Sequence, residues 1–266
     1  MITAGIDIGA RTIKIVLFSV QSGRIEGFRI EDTGSSPIQN TLSMLAQVQR
    51  SLSLDPEKHY PTVVTGYGRK YFPLPNESVT EITCQARGIH NLFPDAGTVI
   101  DIGGQDSKVI RMARGGRVED FLMNDRCAAG TGRFLEMAAR TLEVPLADGG
   151  TYGLQAAKSV EISSMCAVFA ESEIVGLLAQ GHPKPEILLG VFDAVARRMT
   201  AQVNKIGVRE PVVFTGGAAL NQGLVRMLEK ELGLLLHIPP NPQITAALGA
   251  ALLAVERYHA KPENNP

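Results

Sequence analysis

The chain has 266 residues, 44% of them apolar, and 26 Lys and Arg set against 27 Asp and Glu give a net charge of −1. That length allows one large domain or two modest ones with a substantial core, and the balanced charge, without a dense Lys/Arg block, excludes a nucleic-acid platform. The start, Met1 to Asp7, has no basic flank and meets a charge early, and the most apolar run, residues 244–255, is too short for a bilayer, so neither a signal peptide nor a membrane partner is expected.

The first element is a strand, a glycine turn and a second strand: Ile6-Asp7-Ile8-Gly9, then Lys14-Ile15-Val16. The same pattern returns 94 residues later (101 − 7), pairing Ile6 with Ile100, Asp7 with Asp101, Ile8 with Ile102, Gly9 with Gly103 and Lys14 with Lys108. Between them lie a predicted helix over 37–54 behind a Ser35 or Ser36 cap, a strand ending in Thr65-Gly66, and a helix over 80–93. Cys84 falls in that last helix and reads as a core cysteine. After the second turn come two cysteine motifs, described below, then a helix over 186–206, a strand ending in Thr215-Gly216-Gly217, and helices over 221–232 and 243–258. Residues 259–266 read as a frayed polar tail.

An internal repeat of this kind predicts a duplicated α/β fold, with lobes at 1–95 and 96–266. Asp7 to Gly66 spans 59 residues (66 − 7), whereas Asp101 to Gly216 spans 115 (216 − 101). The second lobe therefore carries about 56 extra residues (115 − 59), expected as a helical insertion near 120–180 that holds both Cys127 and Cys166.

Two Asp-x-Gly turns facing each other across a cleft suit a nucleoside triphosphate. Gly9, Gly103 and Gly104 let backbone N–H groups approach phosphate oxygens. Asp7 and Asp101 would hold Mg²⁺ through its waters, and Lys14 would add positive charge. Gln105 or Asp106 would orient an attacking water. Gly216 and Gly217 would receive adenosine or the α-phosphate, and Thr12 is the first hydroxyl of its loop, since Ala10 and Arg11 follow Gly9. A pair of tight turns with Asp caps is the plainer alternative.

Each of the two later cysteines precedes a helical pattern: Cys127 in Asn124-Asp-Arg-Cys-Ala-Ala-Gly-Thr-Gly-Arg-Phe134, and Cys166 before Ala167-Val-Phe-Ala-Glu-Ser-Glu173. First-turn N–H groups favour a thiolate at such a junction. Burial as small hydrophobes and service as metal ligands both remain open. Two thiolates are half of what a four-iron cluster needs, so a cluster would be shared by two chains. A tetrahedral zinc site usually shows Cys-x₂₋₄-Cys spacing, which is missing. Cysteines without an export signal predict a reducing, cytoplasmic setting.

These motifs, with Val99-Ile-Asp-Ile-Gly-Gly-Gln-Asp106 and Thr215-Gly-Gly217, resemble the BadF/BadG/BcrA/BcrD ATPase family, the activators (component A) of 2-hydroxyacyl-CoA dehydratases, within the actin, heat-shock-chaperone and sugar-kinase superfamily. The resemblance implies an actin/sugar-kinase-like fold of two similar lobes around a nucleotide cleft. It further implies a homodimer in which Cys127 and Cys166 of each chain hold one [4Fe–4S] cluster, each protomer binding ATP or ADP with Mg²⁺. ATP would drive one electron to a cluster-bearing dehydratase or reductase component, with ferredoxin or flavodoxin as donor. Benzoyl-CoA reductase subunits and reductases of double-cubane proteins share these motifs. Rivals of another class are a small-molecule kinase using Asp101 as base, and a non-catalytic ATP switch.

Overall fold

The computed structural model describes residues 1–124, 130–163 and 166–260. The chain forms two compact units, Met1–Ala96 with Met112–Glu119 and Gln243–Pro266, and Gly97–Arg111 with Asp120–Pro242.

The first unit is a five-stranded sheet of β1 (Ile2–Ile8), β2 (Thr12–Ser19), β3 (Arg24–Asp32), β4 (Thr62–Thr65) and β5 (Glu77–Ser78), in the order β3-β2-β1-β4-β5. The alternation of side chains along a strand divides its apolar residues between two faces. Ile13, Ile15 and Leu17, with Ile6 and Ile8, pack on Met44, Leu45 and Val48 of α1 (Pro37–Ser51). Val16 and Phe18 pack instead on Ala247, Leu248, Ala251 and Leu252 of α8 (Thr245–Ala260). Gly5 lies on this second face because a Cβ there would run into the Ala247 carbonyl. Thr3 Oγ1 donates to Ala251 O at 2.9 Å.

A second close approach joins α8 to α2 (Glu81–Leu92). A Cβ at Gly249 would overlap the Cys84 carbonyl, and one at Gly88 would overlap the Thr245 carbonyl. With the backbones this near, the buried Thr245 hydroxyl donates to Gln85 Oε1 at 3.0 Å. Thus the last helix of the chain belongs to the first unit. Thr80 caps α2, its hydroxyl accepting from Thr83 N, while Ser36 stands at the N-cap of α1 without a side-chain cap bond.

The second unit repeats the sheet: β6 (Thr98–Ile102), β7 (Ser107–Met112), β8 (Val118–Asn124), β9 (Val212–Thr215) and β10 (Leu236–His237), ordered β8-β7-β6-β9-β10. In both sheets the first strand pairs antiparallel with the second and parallel with the fourth. Where α1 lies between β3 and β4, four α-helices among the described residues lie between β8 and β9: α3 (Gly132–Thr141), α4 (Gly149–Gly153), α5 (Ala167–Ala179) and α6 (Lys184–Ile206). The core of this unit runs from Ile100, Ile102 and Phe214 through Phe134 of α3 to Phe192, Val195 and Met199 of α6. α6 begins two residues before the expected Glu186, because Pro185 suits a first helical turn, and ends at Gly207 with φ 84°. α7 (Gln222–Leu232) is capped by Asn221, whose Oδ1 accepts from Leu224 N at 2.9 Å, and closed by left-handed Gly233. No helix among the described residues is long and apolar enough to cross a membrane.

Candidate nucleotide site

The duplicated register gives each unit the same cluster of side chains. Asp7 pairs across β1 with Lys14 on β2 and with Thr65 on β4. Asp101 pairs across β6 with Lys108 on β7 and with Thr215 on β9. Strand pairing alone therefore places an acid between a lysine and a threonine at the lip of each glycine turn.

The two copies are wired differently. In the first unit Lys14 Nζ meets Asp7 Oδ2 at 3.0 Å, both side chains largely buried. Among the described residues Asp7 Oδ1 is buried without a hydrogen-bond partner. In the second unit Lys108, 4% exposed, meets Asp106 Oδ2 at 2.8 Å and Asp101 Oδ2 at 3.4 Å. Thr215 Oγ1 donates to Asp101 Oδ1 at 3.0 Å. Asp106 occupies the place of Thr12 in the repeat (106 − 94 = 12) and is buried against Lys108, while Gln105 beside it is exposed.

Both turns close with one bond: Gly9 N donates to Thr12 O at 3.1 Å, and Gly103 N donates to Asp106 O at 2.9 Å. Among the described residues no backbone carbonyl accepts from the amides of Ala10, Gly104 or Gln105. The carbonyls of the turns are held from behind. Gly9 O accepts from Thr33 Oγ1 at 2.7 Å, and Arg11 O from Thr33 N at 3.0 Å. Gly103 O accepts from Gly132 N at 2.8 Å, and Gly104 O from Arg133 N at 2.9 Å.

Gly66 and Gly216 follow the fourth strands with φ of 87° and 85°, a conformation that glycine adopts without strain. A Cβ at either would collide with the carbonyl of Ile8 or Ile102 and crowd the neighbouring aspartate. Gly217 opens a short 3₁₀ turn, Gly217–Leu220, and α7 follows only after it. Asp7, Gly9, Thr12 and Lys14 thus sit together in the first unit, and Asp101, Gly103, Gly104, Gln105, Gly216 and Gly217 in the second.

Cys166 is exposed and stands at the N-cap of α5, with its carbonyl accepting from Ala170 N at 2.9 Å. Val168 and Phe169 beside it are each 70% exposed. Glu173, one turn further on, accepts from the amide and hydroxyl of Ser163 at 2.9 and 2.8 Å, which ties the segment before the cysteine to the helix. Cys127 lies outside the described residues. The helix expected to begin beside it starts at Gly132, five residues on (132 − 127), and its Gly132 and Arg133 amides are taken by the second turn. Among the described residues no group of three or more His, Cys, Asp or Glu is arranged to hold a metal ion. Cys84 is buried, and burial pushes its thiol up to about 12.

Sequence reasoning paired Lys108 with Lys14 but gave it no role, and missed Thr33, Gly132 and Arg133. The Asp-to-Lys offset of seven in both halves (14 − 7, 108 − 101) is the signal that marks Lys108.

Comparison with known proteins agrees with this geometry. The chain matches the BadF/BadG/BcrA/BcrD ATPase family model over residues 4–254. It is 42% identical over 262 residues to the activator of lactoyl-CoA dehydratase of Anaerotignum propionicum, covering 98% of this chain and all of that one. Its fold is similar to that of the activator of the 2-hydroxyisocaproyl-CoA dehydratase from Clostridium difficile with bound ADPNP, with TM-score 0.90 and 38% identity over 97% of this chain and 95% of that one. A ROK family glucokinase from Streptomyces griseus shares the fold alone, with TM-score 0.61 and 14% identity over 96% of this chain and all of that one. The duplicated sheets, the twin Asp–Lys–Thr clusters and these matches agree: the chain belongs to the BadF/BadG/BcrA/BcrD ATPase family.

Proposed function

We propose that this protein is an ATP-dependent activator that delivers single electrons to a cluster-bearing dehydratase or reductase component. The observation that carries the ATPase half is the twin Asp–Lys–Thr cluster, with a buried and unpartnered Asp7 Oδ1 beside a turn whose Ala10 amide is open. A buried carboxylate oxygen without a donor is costly unless something outside the protein satisfies it, and a hydrated Mg²⁺ does so. The amides of Ala10, Gly104 and Gln105, with Gly216 and Gly217, take the nucleotide. Asp7 and Asp101 would hold Mg²⁺ through its waters. Lys14 and Lys108 hold those carboxylates in place. Thr12 offers its hydroxyl to a phosphate oxygen, and Gln105 aligns the water. The water oxygen bonds to the γ-phosphorus as the bond to the β,γ-bridging oxygen breaks, ADP leaves with the electron pair, and the water's proton ends on inorganic phosphate.

The electron-transfer half rests on the cysteines and on the relatives' names. An exposed thiol at a helix N-cap, as at Cys166, suits a thiolate ligand. With Cys127, which lies outside the described residues, one chain offers two candidate ligands, so two copies would hold one [4Fe–4S] cluster, which supplies a low-potential electron when bound. Ferredoxin or flavodoxin would supply the electron, and the partner would use it on a CoA thioester. Benzoyl-CoA reductase and double-cubane systems are alternative partners of the same chemistry.

The Cys166→Ser variant, purified anaerobically beside the parent protein, tests the assignment. The variant should lose iron, sulfide and visible colour while still binding ADP. A variant that keeps the full iron complement removes Cys166 from the ligand set. Phosphorylation of a small molecule by the parent protein would turn the reading to a kinase.

A further inference from the structure

The second turn is held by a different element from the first, and the difference falls beside the cysteine-bearing segment. We propose that Gly132 and Arg133 are positioning residues for phosphate binding, acting through their backbone N–H groups on the turn at 103–106. The proposal rests on the reading of that turn as a phosphate loop.

A trans peptide unit is planar, with its C=O and N–H pointing in opposite directions. Gly103 O faces the amide of Gly132, and Gly104 O faces that of Arg133. The N–H groups of the same two peptide units belong to Gly104 and Gln105, so they point away from α3. These are two of the amides left without a backbone acceptor. The first turn of α3 thereby aims the donors that a phosphate needs. Helix starts leave several N–H groups unpaired, and here two of them are used on the loop itself. The fit favours glycine at 132: a Cβ there would stand 3.1 Å from Gly103 O and 3.2 Å from the Gly104 Cα, so the turn would have to give by a few tenths of an ångström.

The first unit supports the inference independently. Thr33, the residue after β3, holds Gly9 O and Arg11 O with its hydroxyl and amide. By the same peptide geometry the Ala10 amide faces away from it. Asn40 Nδ2 in turn donates to Thr33 O at 2.9 Å. Each turn is therefore braced from the segment that follows the third strand of its sheet. In one unit that brace is a threonine in a loop, and in the other it is the helix that the chain enters just after Cys127. Phosphate contact at Gly104 and Gln105 and the placement of α3 share the same two peptide units.

Proline at Arg133 removes its N–H from Gly104 O, yet proline is tolerated in a first helical turn. Alanine at the same position removes the same side chain and keeps the N–H. ATP and adenosine affinities of both variants, measured by calorimetry on the intact protein, separate the two. One hydrogen bond of ordinary strength corresponds to about a tenfold greater loss of ATP affinity in Arg133→Pro than in Arg133→Ala, with adenosine affinity equal in the two. Gly132→Ala should likewise weaken ATP more than adenosine, which covers the case of a proline variant that does not fold. Equal ATP affinity in the two Arg133 variants overturns the proposal, as does a parallel loss of ATP and adenosine in Gly132→Ala. If the parent protein binds adenosine but gains nothing from the phosphates, the phosphate-loop reading fails instead.

Discussion

Asp7 and Asp101 occupy matched registers but different hydrogen-bond environments. Asp101 has Thr215 and Lys108 on its two oxygens, while among the described residues Asp7 has Lys14 on one and no hydrogen-bond partner on the other. Asp7→Asn should lower kcat for ATP hydrolysis by about 10²-fold, the scale of losing one preorganised charge contact, in a steady-state phosphate-release assay. The cysteines divide in the same way. Cys166 should react with an alkylating reagent in the metal-free native protein, and Cys84 only after unfolding, as read by peptide mass spectrometry. The raised Cys84 thiol also fixes a sign. The unfolded chain loses this proton near pH 9, the folded chain only near 12, so this contribution to stability is complete below pH 9 and is lost as pH rises towards 12. A thermal midpoint that falls over that window in the parent, and falls less in Cys84→Ala, is the expected result.

At the scale of elements, two helices meet backbone to backbone where α2 crosses α8, and glycine is required on both sides. Gly249→Ala should destabilise the protein by about 1–3 kcal/mol or more, the range for overpacking, seen as a lower thermal midpoint. An unchanged midpoint would mean that the helices part without penalty. The sequence made the strands and the Asp-x-Gly turns readable because each is local: an apolar run, a glycine and a lysine at fixed offset. The starts of α2 and α7 were readable for the same reason, at Thr80 and Asn221, whereas the side-chain capping bonds of those two residues were not read, and the cap expected at Ser35 or Ser36 makes none at Ser36. Neither the helix crossing nor the brace on the second turn is local. Gly103 and Gly132 are 29 residues apart (132 − 103) and meet through main-chain atoms, so no side-chain pattern announces them. The same limit hid α8, whose apolar residues mark a buried helix without saying which sheet it covers.

For the whole molecule, one architecture is used twice, and the second copy has been lengthened between its third and fourth strands. Duplication explains why both sheets have the same order and why an acid, a lysine and a threonine recur at each turn. In the lengthened part α5 begins at an exposed cysteine and α3 is hydrogen-bonded to the second turn. The second glycine turn and the exposed Cys166 thereby lie in the same unit. The most direct test of this account is iron, sulfide and native mass measured together on the anaerobically purified protein. The account predicts a dimer carrying one four-iron, four-sulfide cluster between two chains. An iron-free protein, or a monomer with a complete cluster of its own, would contradict it.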